Sequence, residues 1–353
     1  MSATDDQLFD AQLARYELGP GADDDIEIEQ PWIDHGPTFL GQIDPPLKYV
    51  INELIPSGVI ALLHGEPRTR KSWASLDIAI AASSGTCAFG LSRFLAPEPV
   101  PTLYSSQEDA SRLVRLRCNA MLKGREIECP PLLSFAVHKG INLEKPEWHA
   151  RLIKDILASK IRLVIFDPVR RFAENADKGP AEVRMITQYL RRLTIETGAT
   201  VLIVHHDTKP SANGPDNRRR GHKASGGDWF AASEAPIGLE VVGEATMAYP
   251  ESYKLSSDPE PFSFIVKTDD ARNPTTATIN AETTTSADAG MLAIDEAVML
   301  YLTGKPGATG YGIIKGTKKN SDSVRASLDR LFAVGKIDCR DGPRNSQIWF
   351  KVL

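Results

Sequence analysis

The chain has 353 residues, of which 42% are hydrophobic and 25% charged, and this composition is typical of soluble globular proteins. No apolar run is long enough to span a bilayer, and the first residues lack the basic and apolar regions of a signal peptide. The 4 cysteines are scattered without a C-x-x-C pair. This spacing argues against a zinc site or a disulfide framework and favours a cytoplasmic location.

Charge is unevenly distributed along the chain, although the net charge is only −5. Residues 1–48 carry 11 acidic and 2 basic side chains, whereas residues 291–353 carry 10 basic and 6 acidic ones. This asymmetry predicts that any nucleic-acid contact involves the C-terminal region. A solvated surface accounts for the basic tail equally well.

The sequence pattern predicts four segments. Residues 1–44 are acidic and lack periodicity, which is typical of a disordered segment. Residues 45–275 have the pattern of a large core, and the Thr/Ala-rich stretch 276–290 is predicted to be a linker. Residues 291–353 form a separate small domain in this interpretation.

Apolar strands alternate with helices in the core. The strand candidates are 59–64, 101–105, 132–137, 162–167, 200–205, 237–242 and 262–268. The helix candidates are 71–84, 109–123, 146–159 and 180–197, the last with Pro180 at its start and Gly198 past its end. Continuous apolar strands separated by helices predict an α/β fold in which helices cover both faces of a mainly parallel sheet.

The segment between the first strand and the first helix has the layout of a phosphate-binding loop. In this layout backbone N–H groups and a helix start face an anion. We expect Lys71 to reach the β- and γ-phosphate oxygens and Ser72 to contact Mg²⁺, so the predicted ligands are ATP and Mg²⁺. The alternative is a chance Lys-Ser pair at a helix start. The residues expected to contact the nucleotide are Gly65, Glu66, Pro67, Arg68, Thr69, Arg70, Lys71, Ser72 and Trp73.

Arg70 departs from the usual pattern, which has glycine immediately before the lysine. Glycine gives the loop free backbone angles and lets a phosphate approach closely. An arginine in a right-handed conformation would still be compatible with the loop, and its guanidinium could contact a phosphate. The same substitution could instead mark a weakened ATPase.

Three further residues follow predicted strands and are candidates for the chemistry. Asp167 ends the strand 162–167, where it is expected to hold Mg²⁺ or, alternatively, to cap a turn. Glu108 is expected to activate the attacking water, whereas Asp109 suits a helix start. Neighbouring side chains of a strand point to opposite faces, so His206 is expected to face the γ-phosphate while His205 packs. A strand-end histidine is more often structural.

The C-terminal residues have a different pattern. Helices are predicted at 292–303, 309–317 and 321–334, followed by a β-hairpin formed by 336–340 and 347–352. Three helices and a hairpin are the outline of a winged helix.

The order of these motifs resembles the RecA-like ATPases of the plasmid RepA replicative helicase family over residues 45–245. The matching motifs are Pro45–Val50, Gly65–Ser72, Ser106–Asp109, Phe166–Phe172 and Val204–His206. The resemblance implies a RecA-like P-loop NTPase core and a homo-oligomeric, hexameric ring that hydrolyses ATP between subunits. It also implies that Lys71 and Glu108 are catalytic, that Asp167 is the Walker B residue and that His206 senses the γ-phosphate.

The resemblance further implies that single-stranded DNA passes through the ring and contacts the loop 207–223. The basic residues of this loop are Arg218, Arg219, Arg220 and Lys223. The family places an arginine finger in a segment that corresponds here to 224–235, which contains no arginine. Arg220 or Lys223 could substitute, and without such a donor hydrolysis is expected to be slow.

The C-terminal domain is similar to the winged domains of plasmid and phage replication proteins. The resemblance implies duplex DNA binding through the third helix and the wing. The candidate phosphate contacts are Lys318, Lys319, Arg325, Arg330 and Arg344. Winged helices also serve as protein–protein adaptors, so this alternative stays open.

Three functions are consistent with the sequence. The leading hypothesis is an ATP-dependent motor that acts on DNA during replication of a plasmid, phage or mobile element. The second is a nucleotide-gated DNA-binding initiator or regulator with weak hydrolysis, which Arg70 and the missing finger favour. A third, a recombinase-like or repair ATPase, would form filaments instead of closed rings.

Overall fold

The computed structural model describes residues 35–43, 45–175, 179–207, 228–283, 286–333, 336–342 and 347–352. The described residues divide into two compact units. The first contains the residues up to Leu239 together with Pro250–Pro259 and Val266–Asn280. The second contains Glu240–Tyr249, Glu260–Ile265 and the residues from Ala281 onward.

The strands and helices that the sequence pattern predicts occur in the predicted order. The helices are α1 (Gly36–Leu40), α2 (Lys71–Ser84), α3 (Ser111–Gly124), α4 (Pro146–Ala158), α5 (Pro180–Thr197), α6 (Asp228–Ala232), α7 (Ser286–Gly304), α8 (Gly310–Thr317) and α9 (Ser321–Ala333). The strands are β1 (Tyr49–Ile51), β2 (Ile55–Pro56), β3 (Ile60–Gly65), β4 (Thr102–Ser106), β5 (Leu133–Val137), β6 (Leu163–Asp167), β7 (Thr200–His206), β8 (Ala235–Val242), β9 (Ala245–Pro250), β10 (Phe262–Thr268), β11 (Ala277–Thr283), β12 (Ala308–Thr309), β13 (Ile337–Asp341) and β14 (Gln347–Lys351). Further short or unpredicted elements lie among the predicted ones, namely α1, β1, β2, α6, β9, β11 and β12.

The main sheet has the order β11-β10-β9-β8-β3-β7-β6-β4-β5 within the described residues. The pairs β8–β3, β3–β7, β7–β6, β6–β4 and β4–β5 are all parallel. Strand β3 therefore has a parallel neighbour on each side, and the loop that follows it opens at the carboxyl edge of the sheet. The predicted α/β fold with a mainly parallel sheet covered by helices is confirmed.

Alternating side chains of β6 point to two different layers, as the pleat of a strand requires. Val164 and Phe166 belong to the apolar core formed with α4 and α5. Asp167 points to the opposite face of the strand and accepts a hydrogen bond from Ser75 of α2. Helix α2 packs against β4 and β6. The strand is buried on both faces, which explains its continuous apolar sequence.

Glycines follow the C-terminal ends of two helices of the first unit. Gly85 follows α2 and Gly198 follows α5, both in the left-handed conformation that glycine adopts at low cost. Pro180 begins α5, as predicted, because a missing N–H is tolerated in the first turn of a helix.

The second unit contains three helices and a small antiparallel sheet. The sheet has the order β12-β14-β13, and α7, α8 and α9 pack over it. The buried side chains of this core are Val298, Leu302, Ile313, Val324, Leu328, Leu331, Ile337 and Trp349. The helices α7, α8 and α9 and the hairpin of β13 and β14 are the elements that the sequence predicts for this region. The assignment to the winged-helix class stays a prediction.

Regular structure occupies the segment predicted as a linker. Within 276–290 the structure has the strand β11 and the beginning of α7. The reason is compositional, because the β-branched threonines of 275–278 and 283–285 favour strands and the alanines near 287–289 favour helix. The strand β9 is a further element that the sequence pattern did not predict.

Of the segment 1–44, residues 1–34 and 44 lie outside the described residues. The remainder includes the short helix α1, none of whose residues is buried. No helix in the described part of the chain combines the length and the apolar character that crossing a membrane requires.

Candidate functional site

A cavity of about 270 Å³ lies at the carboxyl edge of the parallel sheet, within the first unit. It brings together the loop after β3, the residues after β4 and the ends of β6 and β7. Its lining residues are Arg68, Arg70, Lys71, Ser72, Trp73, Ser106, Glu108, Asp109, Arg117, Asp167, Pro168 and His206. The predicted candidates Lys71, Glu108, Asp167 and His206 therefore share one cavity.

The Lys71 ammonium group is held by the loop itself. Its Nζ donates to the carbonyl oxygens of Gly65 at 2.8 Å and Glu66 at 2.7 Å, and to Thr69 Oγ1 at 3.2 Å. Burial lowers the pKa of Lys71 to about 8, and the nearby carboxylates of Asp207 and Asp167 oppose this shift. The lysine is thus charged at neutral pH and already points along the loop that would surround a phosphate.

The backbone of the phosphate-binding loop has an unusual conformation at Arg70. Arg70 lies in the left-handed region (φ 62°, ψ 24°) and not in the right-handed conformation that we considered compatible with the loop. Arg68 also has a positive φ of 72°. The turn into α2 needs this geometry whatever residue is present, which explains why glycine is usual there. The loop therefore stores backbone strain at the edge of the cavity.

Gly65 occupies a position that has no room for a side chain. A Cβ atom there would lie 2.5 Å from the carbonyl oxygen of Leu239 and 2.8 Å from Thr69 Oγ1. Glycine is required because neighbouring atoms approach the backbone closely, at the point where the loop leaves β3.

Asp167 is almost fully buried and receives several hydrogen bonds. Its Oδ2 accepts from Ser75 Oγ at 2.9 Å and from the Tyr104 hydroxyl at 2.5 Å. Burial raises the pKa of Asp167, and hydrogen bonds from Tyr104, Ser75 and Ser72 counteract this shift. Carboxylate and hydroxyl oxygens are ligands that Mg²⁺ prefers, so Asp167 and Ser72 have suitable chemistry to hold this ion beside the phosphates.

Two arginines contact Glu108. The 3-10 turn Val169–Arg171 follows Asp167, and its guanidinium groups reach Glu108 Oε2 from Arg170 Nη2 at 3.5 Å and from Arg171 Nε at 3.3 Å. Asp109 is not available in the same way, because it pairs with Arg117 of α3. Glu108 is therefore a cavity-lining carboxylate held by two arginines, whereas Asp109 fixes Arg117 beside the cavity.

The two histidines at the end of β7 point to different sides of the sheet. His206 lines the cavity, while His205 is buried with its ring 5.7 Å from that of Trp229. Burial lowers the pKa of His206 to about 4, and the positive charges of Lys71 and Arg170 add to this effect. His206 is thus a neutral imidazole at physiological pH, suited to hydrogen bonding with a phosphate oxygen.

Sequence reasoning missed a buried pair beside the loop. His64 Nδ1 lies 3.0 Å from Asp207 Oδ1, and the Asp207 N–H donates to the Gly65 carbonyl oxygen at 3.0 Å. The pair ties the end of β3 to the end of β7. The sequence offered an indication of this pair, because each residue adjoins a recognised motif. His64 precedes Gly65, and Asp207 follows His206.

Other residues missed by the sequence reasoning are Ser75, Tyr104, Arg117 and the two arginines that contact Glu108. Tyr104 lies inside an apolar strand and Ser75 inside a helix, where neither pattern indicates a polar role. The run Arg170-Arg171 was recognised as part of a motif, but no partner could be assigned to it.

Most of the predicted DNA contacts are not positioned by the structure. Arg218, Arg219, Arg220, Lys223 and Arg344 lie outside the described residues. In the second unit Lys318 and Arg325 are exposed and Lys319 is half-buried. Arg330 donates to Asp295 Oδ1 at 2.6 Å, so its charge is already paired within the unit.

The parallel sheet, the loop after β3 and the cavity define the core of a P-loop ATPase. A family model described as an AAA domain matches residues 30–212, more than half of the chain. The chain belongs to this family of AAA domain proteins.

No curated protein matches the chain in sequence. Among solved structures, a KaiC-like protein from the hyperthermophilic archaeon Pyrococcus horikoshii OT3 is similar at 13% identity and a TM-score of 0.44, over 66% of this chain and 99% of that one.

Proposed function

We propose that this AAA domain protein is an ATP-dependent motor that acts on DNA, of the RepA replicative helicase type. The observation that supports the catalytic part is the shared cavity, in which the loop lysine, two carboxylates and a neutral histidine converge. The DNA-acting part is supported by the resemblance of the motif order and by the basic C-terminal region.

Each residue has a distinct role in the proposed reaction. Lys71 neutralises charge on the β- and γ-phosphate oxygens, and Glu108 accepts a proton from the attacking water. His206, being neutral, donates a hydrogen bond to the γ-phosphate and reports its presence along β7. The carboxylate of Asp167 and the hydroxyl of Ser72 would hold Mg²⁺, which supplies charge stabilisation for the departing phosphate.

The proposed DNA contacts occupy two places. The loop that follows His206 and Asp207 would face single-stranded DNA inside a homo-oligomeric, hexameric ring. The helix α9 and the exposed Lys318 and Arg325 would contact the backbone of duplex DNA. Winged helices that bind proteins would use the same exposed residues for a different partner.

The direct test is ATP turnover with and without single-stranded DNA, for the wild type and Lys71→Ala. We expect DNA to stimulate the wild type and the variant to lose turnover, because the phosphates lose the ammonium group of the loop. Equal turnover by both proteins would rule out the catalytic part. Strand displacement by the wild type would support the helicase part, and particle imaging in the same samples would count the subunits.

A second candidate is a nucleotide-gated DNA-binding initiator or regulator. The strained, left-handed Arg70 favours it, because a non-glycine residue at this position restricts the approach of a phosphate. The absence of arginine from residues 224–235 favours it as well, because a missing finger slows hydrolysis. Sequence-specific duplex binding with negligible turnover would support this candidate, and strand displacement would exclude it.

A further inference from the structure

The tandem arginines after the Asp167 strand lie within contact distance of the proposed general base. Both reach the same oxygen of Glu108: Arg170 Nη2 lies at 3.5 Å and Arg171 Nε at 3.3 Å from Oε2. Neither contact uses Oε1, which has no hydrogen-bond partner among the described residues. The carboxylate is therefore restrained through one oxygen and open through the other.

A second contact fixes the arginine turn to the strand that carries Glu108. Gln107 Nε2 donates to the carbonyl oxygen of Arg171 at 2.8 Å, and also to that of Ile141 at 2.8 Å. The side chain of residue 107 thus holds the backbone of residue 171, and the side chain of residue 171 holds residue 108. This reciprocal arrangement links the ends of β4 and β6, which carry the base and the metal-binding carboxylate.

Arg170 also lies close to the phosphate side of the cavity. Its charge contributes to the lowered pKa values of both Lys71 and His206, which line the cavity. Its Nε is buried and has no hydrogen-bond partner within the described part of the structure. The guanidinium therefore contacts Glu108 with only part of its donor set.

We propose that Gln107, Arg170 and Arg171 are positioning residues that orient Glu108 for proton abstraction by clamping Oε2 and leaving Oε1 free for water. This inference rests on the proposed ATPase function and adds to it the source of the orientation of Glu108. A base held by two guanidinium groups keeps its geometry without a neighbouring subunit. The clamp lies entirely in one chain and does not replace the missing finger.

The test compares Arg171→Ala, Arg170→Ala and Gln107→Ala with the wild type in steady-state ATP turnover with single-stranded DNA. We expect kcat to fall about 10- to 100-fold in the arginine variants, because a general base contributes about 10²–10⁴ and a misoriented one loses part of this. The KM for MgATP should change less than about threefold, since the phosphate contacts remain. Arg171→Lys keeps a cation near Oε2 and should recover part of kcat.

Arg151→Ala is the matched control, because Arg151 forms an exposed ion pair with Asp155 at 3.6 Å on helix α4, away from the cavity lining. It should leave kcat unchanged.

A double variant gives a readout that a purely structural role would not reproduce. Glu108→Gln combined with Arg171→Ala should turn over no more slowly than Glu108→Gln alone, because the arginine acts only through the carboxylate.

Several results would overturn the inference. Arginine variants whose kcat lies within twofold of the wild-type value would do so. A double variant whose kcat is a further tenfold below that of Glu108→Gln alone would also do so. Equal losses of MgATP affinity and kcat would place the arginines in nucleotide binding instead. A wild type without turnover would remove the proposed function itself, and this result is distinguishable because it appears before any arginine is changed.

Discussion

The Lys71 amine is held by hydrogen bonds within its own loop and is also the group proposed to contact the phosphates. It lies in a buried environment that favours the neutral form, and nearby carboxylates keep it charged at neutral pH. Three oxygen atoms of its own loop accept its hydrogen bonds. A phosphate that enters the cavity offers charged oxygens to the same amine, so binding exchanges neutral acceptors for ionic ones.

ATP affinity should therefore depend on pH in one direction. The charged form of Lys71 binds phosphate, and its pKa is about 8 in the free protein, so affinity is full below pH 8 and falls as the pH rises above it. The loss approaches about tenfold per pH unit. The charged groups that act on this amine are Asp207, Asp167, Arg170 and Glu108. Equilibrium ATP binding between pH 6.5 and 9.5 measures the effect.

Lys71→Arg is the control for this pH dependence, because arginine stays protonated throughout the range. If that variant binds ATP, its affinity should be flat between pH 7 and 9.5. An equally steep decline in the arginine variant would assign the titration to another group.

Backbone strain at Arg70 can be measured separately from its charge. Arg70→Gly and Arg70→Ala both remove the guanidinium, but only glycine relieves the left-handed conformation at φ 62°. We expect the glycine variant to unfold with a free energy about 1 kcal/mol higher than the alanine variant. Urea unfolding of the two proteins gives this difference, and an alanine variant of equal or greater stability would contradict the strain.

At the scale of elements, α2 connects the phosphate-binding loop to the rest of the first unit. Besides Ser75, which contacts Asp167, it carries the buried Asp77. The Asp77 carboxylate accepts from Arg125 Nη2 at 2.6 Å and from the Phe89 N–H at 2.6 Å. These contacts tie the middle of the helix to the end of α3 and to the turn Ala88–Gly90. The helix that follows the loop is thus anchored by an ion pair away from the cavity.

Loss of the Asp77 carboxylate should destabilise the first unit strongly. Asp77→Ala leaves the Arg125 guanidinium without its charge partner and the Phe89 N–H without an acceptor, and such losses cost about 3–5 kcal/mol. Asp155→Ala, which breaks the exposed pair with Arg151, should cost less than about 1 kcal/mol. Denaturant unfolding of both variants provides the comparison. A loss below 1 kcal/mol for Asp77→Ala would show that the pair is dispensable.

The elements were predictable because their signals are local. The helices α2 and α5 have the bounds that the sequence predicts. The prediction used the alternation of apolar strands with helices and, for α5, Pro180 at its start and Gly198 after its end. The partners of the site residues were not predictable in the same way. Tyr104 and Asp167 are 63 positions apart, and Gln107 and Arg171 are 64 apart, so only the sheet order brings them together. The left-handed Arg70 was missed because a residue type alone does not specify its backbone angles.

At the scale of the whole molecule, the two compact units carry different parts of the proposed function. The first contains the cavity and the residues for ATP chemistry. The second has its own apolar core and carries the exposed Lys318 and Arg325, the residues proposed to contact duplex DNA. A protein with both parts would use ATP in one unit and recognise a partner with the other.

The two arginines of α9 should behave differently, because their ion pairs differ in exposure. The pair of Arg325 with Asp322 at 3.8 Å is exposed. The pair of Arg330 with Asp295 at 2.6 Å is half-buried. Arg325→Ala should weaken duplex DNA binding and reduce the salt slope by about one, because it removes one phosphate contact. Arg330→Ala should mainly lower the stability of the second unit, because Asp295 loses its partner. Binding titrations at several salt concentrations and thermal melts separate these outcomes. Unchanged binding in Arg325→Ala would favour the adaptor interpretation of this unit.

The proposed hydrolysis of ATP in this cavity depends on Glu108 as the general base. The most direct measurement is MgATP turnover and MgATP binding by the wild type and Glu108→Gln. We expect the variant to bind MgATP within about threefold of the wild type and to lose at least about 100-fold in kcat. A Glu108→Gln protein that turns over ATP at the wild-type rate would contradict this role of Glu108.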